Sequence, residues 1–136
     1  MEDRYLSKAK RIDNGEWIQG YLYSIWEKRY ILWGMTNNIP TMIEVDPTTI
    51  CQCTGLKDKN GKLIWENDIV EIGEHEDTVN GLYKVIYCEN ANCYALKRSV
   101  DFHYNFFTFS DLNGFETSSK VIGNIFDNPE LLASEG

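Results

Sequence analysis

Apolar and polar residues along the chain fall into short blocks separated by turn-forming residues. The blocks lie at 16–24, 29–35, 49–54, 62–65, 69–72, 82–88, 93–97, 102–109 and 121–126, each rich in aromatic and β-branched side chains. Most are five to nine residues long, which suits strands and is short for helices. Within 82–88 a period of two sets Tyr83, Val85 and Tyr87 against Lys84 and Ile86. Four Asn-Gly pairs punctuate the blocks, at Asn14-Gly15, Asn60-Gly61, Asn80-Gly81 and Asn113-Gly114. Both residues tolerate positive φ, so each pair predicts a hairpin with a type I′ turn. Short strands with regular turn signals imply a mainly β protein, a barrel or a sandwich.

Helical pattern is sparse. Asn128-Pro129-Glu130 reads as an Asn cap, a first-position Pro and an acid in the first turn of a short C-terminal helix. A second helical turn is expected at Ser110-Asp111-Leu112-Asn113, stopped by Gly114. Pro40 and Asp46-Pro47 bracket a stretch dense in loop residues. It divides an N-terminal β module, 1–48, from a C-terminal domain, 49–136. The block 54–70 predicts a hairpin with its tip at Asp58-Lys59-Asn60-Gly61-Lys62, followed by a turn at Glu66-Asn67-Asp68. The carboxylate of Asp68 is placed to accept turn N–H groups and so to fix the start of the next strand.

Composition narrows the functional classes. Of 136 residues, 13 are Lys or Arg and 21 Asp or Glu, for a net charge of −8. Residues 1–68 carry a net of −1 and residues 69–136 a net of −7. That acidic half repels phosphate, which disfavours direct nucleic-acid binding. The basic cluster is Arg4, Lys8, Lys10 and Arg11, read first as a solvated segment. No apolar run approaches the roughly 20 residues that span a bilayer, and the first residues lack the apolar core of a signal peptide. A cytoplasmic protein without membrane contact is the expectation. The cysteine spacings, Cys51-Gln-Cys53 and Cys88-x4-Cys93, fit zinc poorly, so buried thiols and no metal or cofactor are expected.

The block Thr54-Gly-Leu-Lys-Asp-Lys-Asn-Gly-Lys62, with Ile64-Trp-Glu-Asn-Asp-Ile-Val70, resembles the YopX family of phage and prophage proteins. Further matches are Val121-Ile-Gly-Asn-Ile-Phe-Asp-Asn-Pro-Glu-Leu-Leu132 and, near the start, Arg4-Tyr-Leu6, Ala9-Lys-Arg11, Asp13-Asn-Gly-Glu-Trp17, Gly20 and Val45-Asp-Pro47. Asn67 stands where the family pattern usually has Gly, and Cys51 and Cys53 where it has Gly and an aromatic. The resemblance implies a mainly β chain whose C-terminal part is a small SH3-type barrel. It brings no catalytic residues to carry over.

His75, within Glu74-His75-Glu76-Asp77, and His103, within an aromatic run with Phe102, Tyr104, Phe106 and Phe107, lack the partners of a catalytic triad. Glu74, Glu76 and Asp77 lack calcium-loop spacing. Trp17, Trp26, Trp33 and Trp65, with Tyr21, Tyr23 and Tyr30, are expected to fill a core or an interface. These readings lead to a non-enzymatic phage accessory protein that binds a host or phage protein, with homo-oligomerisation through exposed strand edges. One alternative is an acidic DNA mimic that occupies a nucleic-acid-binding enzyme. Another is nucleic-acid binding through the Arg4–Arg11 cluster.

Overall fold

The computed structural model describes residues 5–36, 39–73, 81–89, 93–98, 106–108 and 119–133. The chain forms two compact units, Met1–Gly55 and Leu56–Gly136. Strands β1 (Ser7–Lys10), β2 (Trp17–Ile25), β3 (Lys28–Thr36), β4 (Ile39–Glu44), β5 (Cys51–Lys57) and β6 (Leu63–Trp65) form a sheet in the order β4-β3-β2-β1-β5-β6. Strand β5 crosses the unit boundary. Strands β7 (Asp68–Ile72), β8 (Gly81–Cys88), β9 (Cys93–Arg98), β10 (Phe106–Thr108) and β11 (Ser119–Asn124) form a second sheet, ordered β10-β9-β8-β7-β11. A one-turn helix, α1 (Glu130–Ala133), follows. The protein is therefore mainly β, and no helix among the described residues is long and apolar enough to cross a membrane.

The first unit buries Ala9, Ile31 and Val45, with Ile18 and Ile50 packed against them. Two of its strands, β1 and β4, have no counterpart in the sequence pattern. Strand β1 offers one apolar residue, Ala9, yet Ser7 and Ala9 are buried and it pairs with both β2 and β5. Pairing on both sides holds a segment whose own composition does not demand a strand. Strand β4 contains Pro40, which reads as loop; it lies at the margin of the sheet, where a missing N–H costs no ladder bond. Between β4 and β5, the Asp46 carboxylate accepts from Thr48 N at 3.0 Å and Thr48 Oγ1 at 2.8 Å, capping the 3-10 turn Pro47–Thr49. These hydrogen bonds hold the Asp46 carboxyl below the ordinary aspartate value.

The second unit is built around Ile64, Val70, Ile72, Tyr83, Val85, Leu96 and Val121, with Leu56 and Tyr94 packed against them. Tyr83 and Val85 are fully buried, as their alternation predicts. Tyr87, third in that series, is exposed at the strand end and meets Tyr94 edge-on at 5.3 Å. Strands β7 to β10 form a four-stranded meander to which β11 returns beside β7. Among the described residues β10 and β11 are the sheet's margins and do not pair. Among the described residues neither sheet closes into a barrel, so the structure bears out the mainly β class that the resemblance implies and not the finer SH3-type barrel.

Turn geometry also departs from expectation. At Asn14-Gly15 and Asn60-Gly61 only the glycine has positive φ, 74° and 80°, so neither turn is type I′. At the second, Asp58 N donates to Lys62 O and Gly61 N to Asp58 O, giving a three-residue loop with a left-handed glycine. The two-residue turn lies instead at Trp26-Glu27, between Ile25 and its partner Lys28, with Trp26 at φ 53°. Asn128 differs too. Its side chain accepts from Asn124 N at 3.3 Å, back toward β11, while its backbone carbonyl takes the Leu131 N–H. The expected helical turn at 110–113 and the Asn113-Gly114 pair lie outside the described residues.

Candidate functional site

The polar residues of the block 54–70 are wired inward. Asp58 is buried at the hairpin tip, and its Oδ1 accepts from Asn60 N and Lys62 N, both at 2.9 Å. Its Oδ2 accepts from Val121 N of β11, also at 2.9 Å. The tip is therefore capped by its own carboxylate and additionally tied to a strand 63 positions away. Burial pushes the Asp58 carboxyl up, but the Val121, Lys62 and Asn60 N–H donors and the Lys62 charge together hold it below the usual aspartate value. Asp68, also buried, accepts from Trp65 N at 2.8 Å, the role expected of it at the start of β7.

Between these two acids Asn67 adopts φ 73°, the left-handed conformation for which Gly is the usual residue. Its N–H donates to Val85 O at 2.8 Å, and its carbonyl accepts from Ile125 N at 3.0 Å, so the turn joins β8 to the segment after β11. Replacing Asn67 by Gly is expected to leave the urea midpoint nearly unchanged. Asn67→Ala is expected to cost about 1 kcal/mol, since a β-carbon with no polar group to compensate is disfavoured at this φ.

The remaining candidates do not converge on reactive chemistry. Cys51 and Cys53 are buried free thiols, and Cys51 Sγ donates to Thr49 O at 3.3 Å. The side chains of Cys88 and Cys93 lie outside the described residues, as do His75, His103, Glu74, Glu76, Asp77, Phe102 and Tyr104. Among the described residues no group of three His, Cys, Asp or Glu side chains is placed to hold a metal ion. Ser119 Oγ is buried and has no hydrogen-bond partner among the described residues. A depression on the first unit is lined by Arg11, Ile12, Asp13, Met42, Ile43 and Glu44. There Arg11 Nη2 and Asp13 Oδ2 form an ion pair at 2.7 Å. The hydrogen bond from Arg11 holds the exposed Asp13 carboxyl below its ordinary value.

The basic cluster is split by this pairing. Strand alternation sets Lys8 and Lys10 on one face of β1, with their ammonium groups 4.9 and 5.4 Å from the centre of the Trp17 ring. Arg11 bridges Val45 in register and turns its guanidinium to Asp13. Of the aromatic residues expected in a core or an interface, Trp65 is buried in the core, whereas Trp26, Trp33, Tyr21 and Tyr23 are exposed. Composition carries no signal for this difference, because inward and outward positions of a strand that is only partly covered look alike.

Two antiparallel sheets with inward-tied acids and an aromatic outer surface define a mainly β protein without a gathered reactive centre among the described residues. The chain belongs to the YopX family, whose model, described as YopX protein, matches residues 8–133. A similar fold occurs in the crystal structure of protein EF1440 from Enterococcus faecalis, with a TM-score of 0.53 and 23% identity, covering 93% of this chain and 96% of that one. Among curated proteins none matches.

Proposed function

We propose that this protein is a phage or prophage accessory protein that acts without catalysis, by binding a host or phage protein in the cytoplasm. Trp26 carries the reading. It is 93% exposed at the tip of the β2–β3 hairpin and sits at φ 53°, a region that bulky residues rarely occupy. Both exposure and backbone strain oppose a tryptophan here, and such outliers gather at binding and switching sites. Arg29 Nη1 donates to the carbonyls of Trp26 at 3.3 Å and Lys28 at 3.2 Å, holding the tip in this shape. Trp and Arg are both among the residue types enriched at interface hot spots. The return of β11 beside β7 supports a small SH3-type barrel as the second scaffold, and the open margin at β4 supports self-association.

Replacing Trp26 by Gly separates stability from function. Gly accepts this φ, so the variant is expected to unfold at equal or higher temperature, by about 1 kcal/mol of relieved strain. A photo-crosslinking residue at position 27, used in cells that carry the phage genes, is expected to trap one protein reproducibly, and the Trp26→Gly background to lose it. Equal trapping in both backgrounds rejects the proposal.

A further inference from the structure

The outer face of the first sheet carries chemistry of a different kind from the hairpin tip. Cross-strand partners share a face, and the register pairs Lys10 with Trp17, Lys8 with Gln19, Tyr23 with Tyr30 and Ile25 with Lys28. Alternation along β2 adds Tyr21 to the same face, away from the buried Ala9, Ile31 and Val45. Tyr21 is 37% and Tyr23 43% exposed, while Trp17 and Tyr30 are partly covered. Lys8 and Lys10 lie over the Trp17 ring. Glu44, opposite Tyr30, is the acid that this register sets against three lysines. The open part of the face stops at β1, because Cys51, across from Lys8 on β5, is buried.

We propose that this face, through Lys8, Lys10, Trp17, Tyr21, Tyr23 and Tyr30, binds a single-stranded polynucleotide. Residues two apart on a strand lie about 7 Å apart on one face, so Tyr21 and Tyr23 present rings to successive bases of an extended strand. Base–aromatic stacking tolerates any sequence because every base has a π-face. The lysines meet the phosphates that pass between. A duplex keeps its bases stacked inside and offers these rings nothing, so the occupant is single-stranded. The excess of acid belongs to residues 69–136, none of which is on β1 to β4, and the balance of three lysines to one glutamate on this face is attractive to phosphate.

The test uses the full chain and a fluorescein-labelled oligothymidylate of about twelve nucleotides. Binding at low salt is expected to raise anisotropy and quench tryptophan emission, with a log–log salt slope of about −2 when Lys8, Lys10 and Lys28, which shares the face, each meet a phosphate. Tyr21→Ala with Tyr23→Ala is expected to weaken binding at least tenfold, and Lys8→Ala with Lys10→Ala to flatten the salt slope. Trp26→Gly is expected to bind like wild type, which separates this face from the tip invoked above. No anisotropy change at low salt overturns the proposal. So do equal affinity for a duplex of the same length, unchanged affinity in a folded tyrosine double variant, or an unchanged slope in the lysine variant.

Discussion

Asp58→Ala is expected to destabilise the protein by about 3 kcal/mol, as read from the urea midpoint at constant m-value. Three backbone N–H groups end on this one carboxylate, and the Val121 N–H is in a buried hydrogen bond within β11. Water can reach the hairpin tip once the side chain is gone. It reaches Val121 poorly, so that donor accounts for most of the loss. Asp58→Asn keeps an acceptor but turns one oxygen into an NH2 that opposes a donor, and is expected to lie between alanine and wild type. Acid sensitivity follows from the same geometry. Because the folded Asp58 pKa lies below its unfolded value near 4, the carboxylate stabilises the fold above that pH. The contribution is lost as pH falls through the folded value. Asp58→Asn is therefore expected to show a shallower decline of stability below about pH 4 than wild type, and an identical acid limb refutes the assignment.

The second large effect is expected at Gly20→Ala, again about 3 kcal/mol. Gly20 is buried in β2 opposite Ser7, and an added β-carbon would overlap the Leu32 backbone carbonyl and press on Ile31 Cγ2 at 2.9 Å. The obstacle is backbone in a neighbouring strand together with a fully buried core residue, so neither gives way without moving the β2–β3 pairing. Gly73→Ala supplies the control. Nothing lies within 4 Å of the added atom and φ is not in the left-handed region, so its midpoint is expected to stay within about 0.5 kcal/mol of wild type. Thermal or urea unfolding of the two variants side by side checks both expectations.

Much of the fold is legible in the residues. The blocks that became β2, β3 and β5 through β9 were visible because β-branched and aromatic residues cluster between turn formers, and Asp68 and Asn67 took the roles their chemistry suggests. What escaped was decided by partners distant in sequence. Ser7-Lys8-Ala9-Lys10 becomes a strand through β2 and β5. Pro40 is tolerated because β4 is marginal. The turn types were missed because Asn-Gly suits several loops, and loop length, which selects among them, depends on strand register. The same limit applies to the candidate surfaces. Trp17, Tyr21 and Tyr23 read equally as core or interface until the register shows which face is covered. The bond from Asp58 to Val121 has no local signature at all.

That long-range bond orders events during synthesis. In the first unit, β2–β3 and β3–β4 are near-neighbour hairpins that can form while the ribosome is still extending the chain. Strand β7 in the second unit waits for β11, and the tip at Asp58 waits for Val121, so that unit completes only after residue 121 has left the exit tunnel. Until then the cluster around Ile64, Val70, Ile72, Tyr83, Val85 and Leu96 lacks Val121 and β7 lacks one of its two neighbours, the incomplete species that chaperones and proteases meet first.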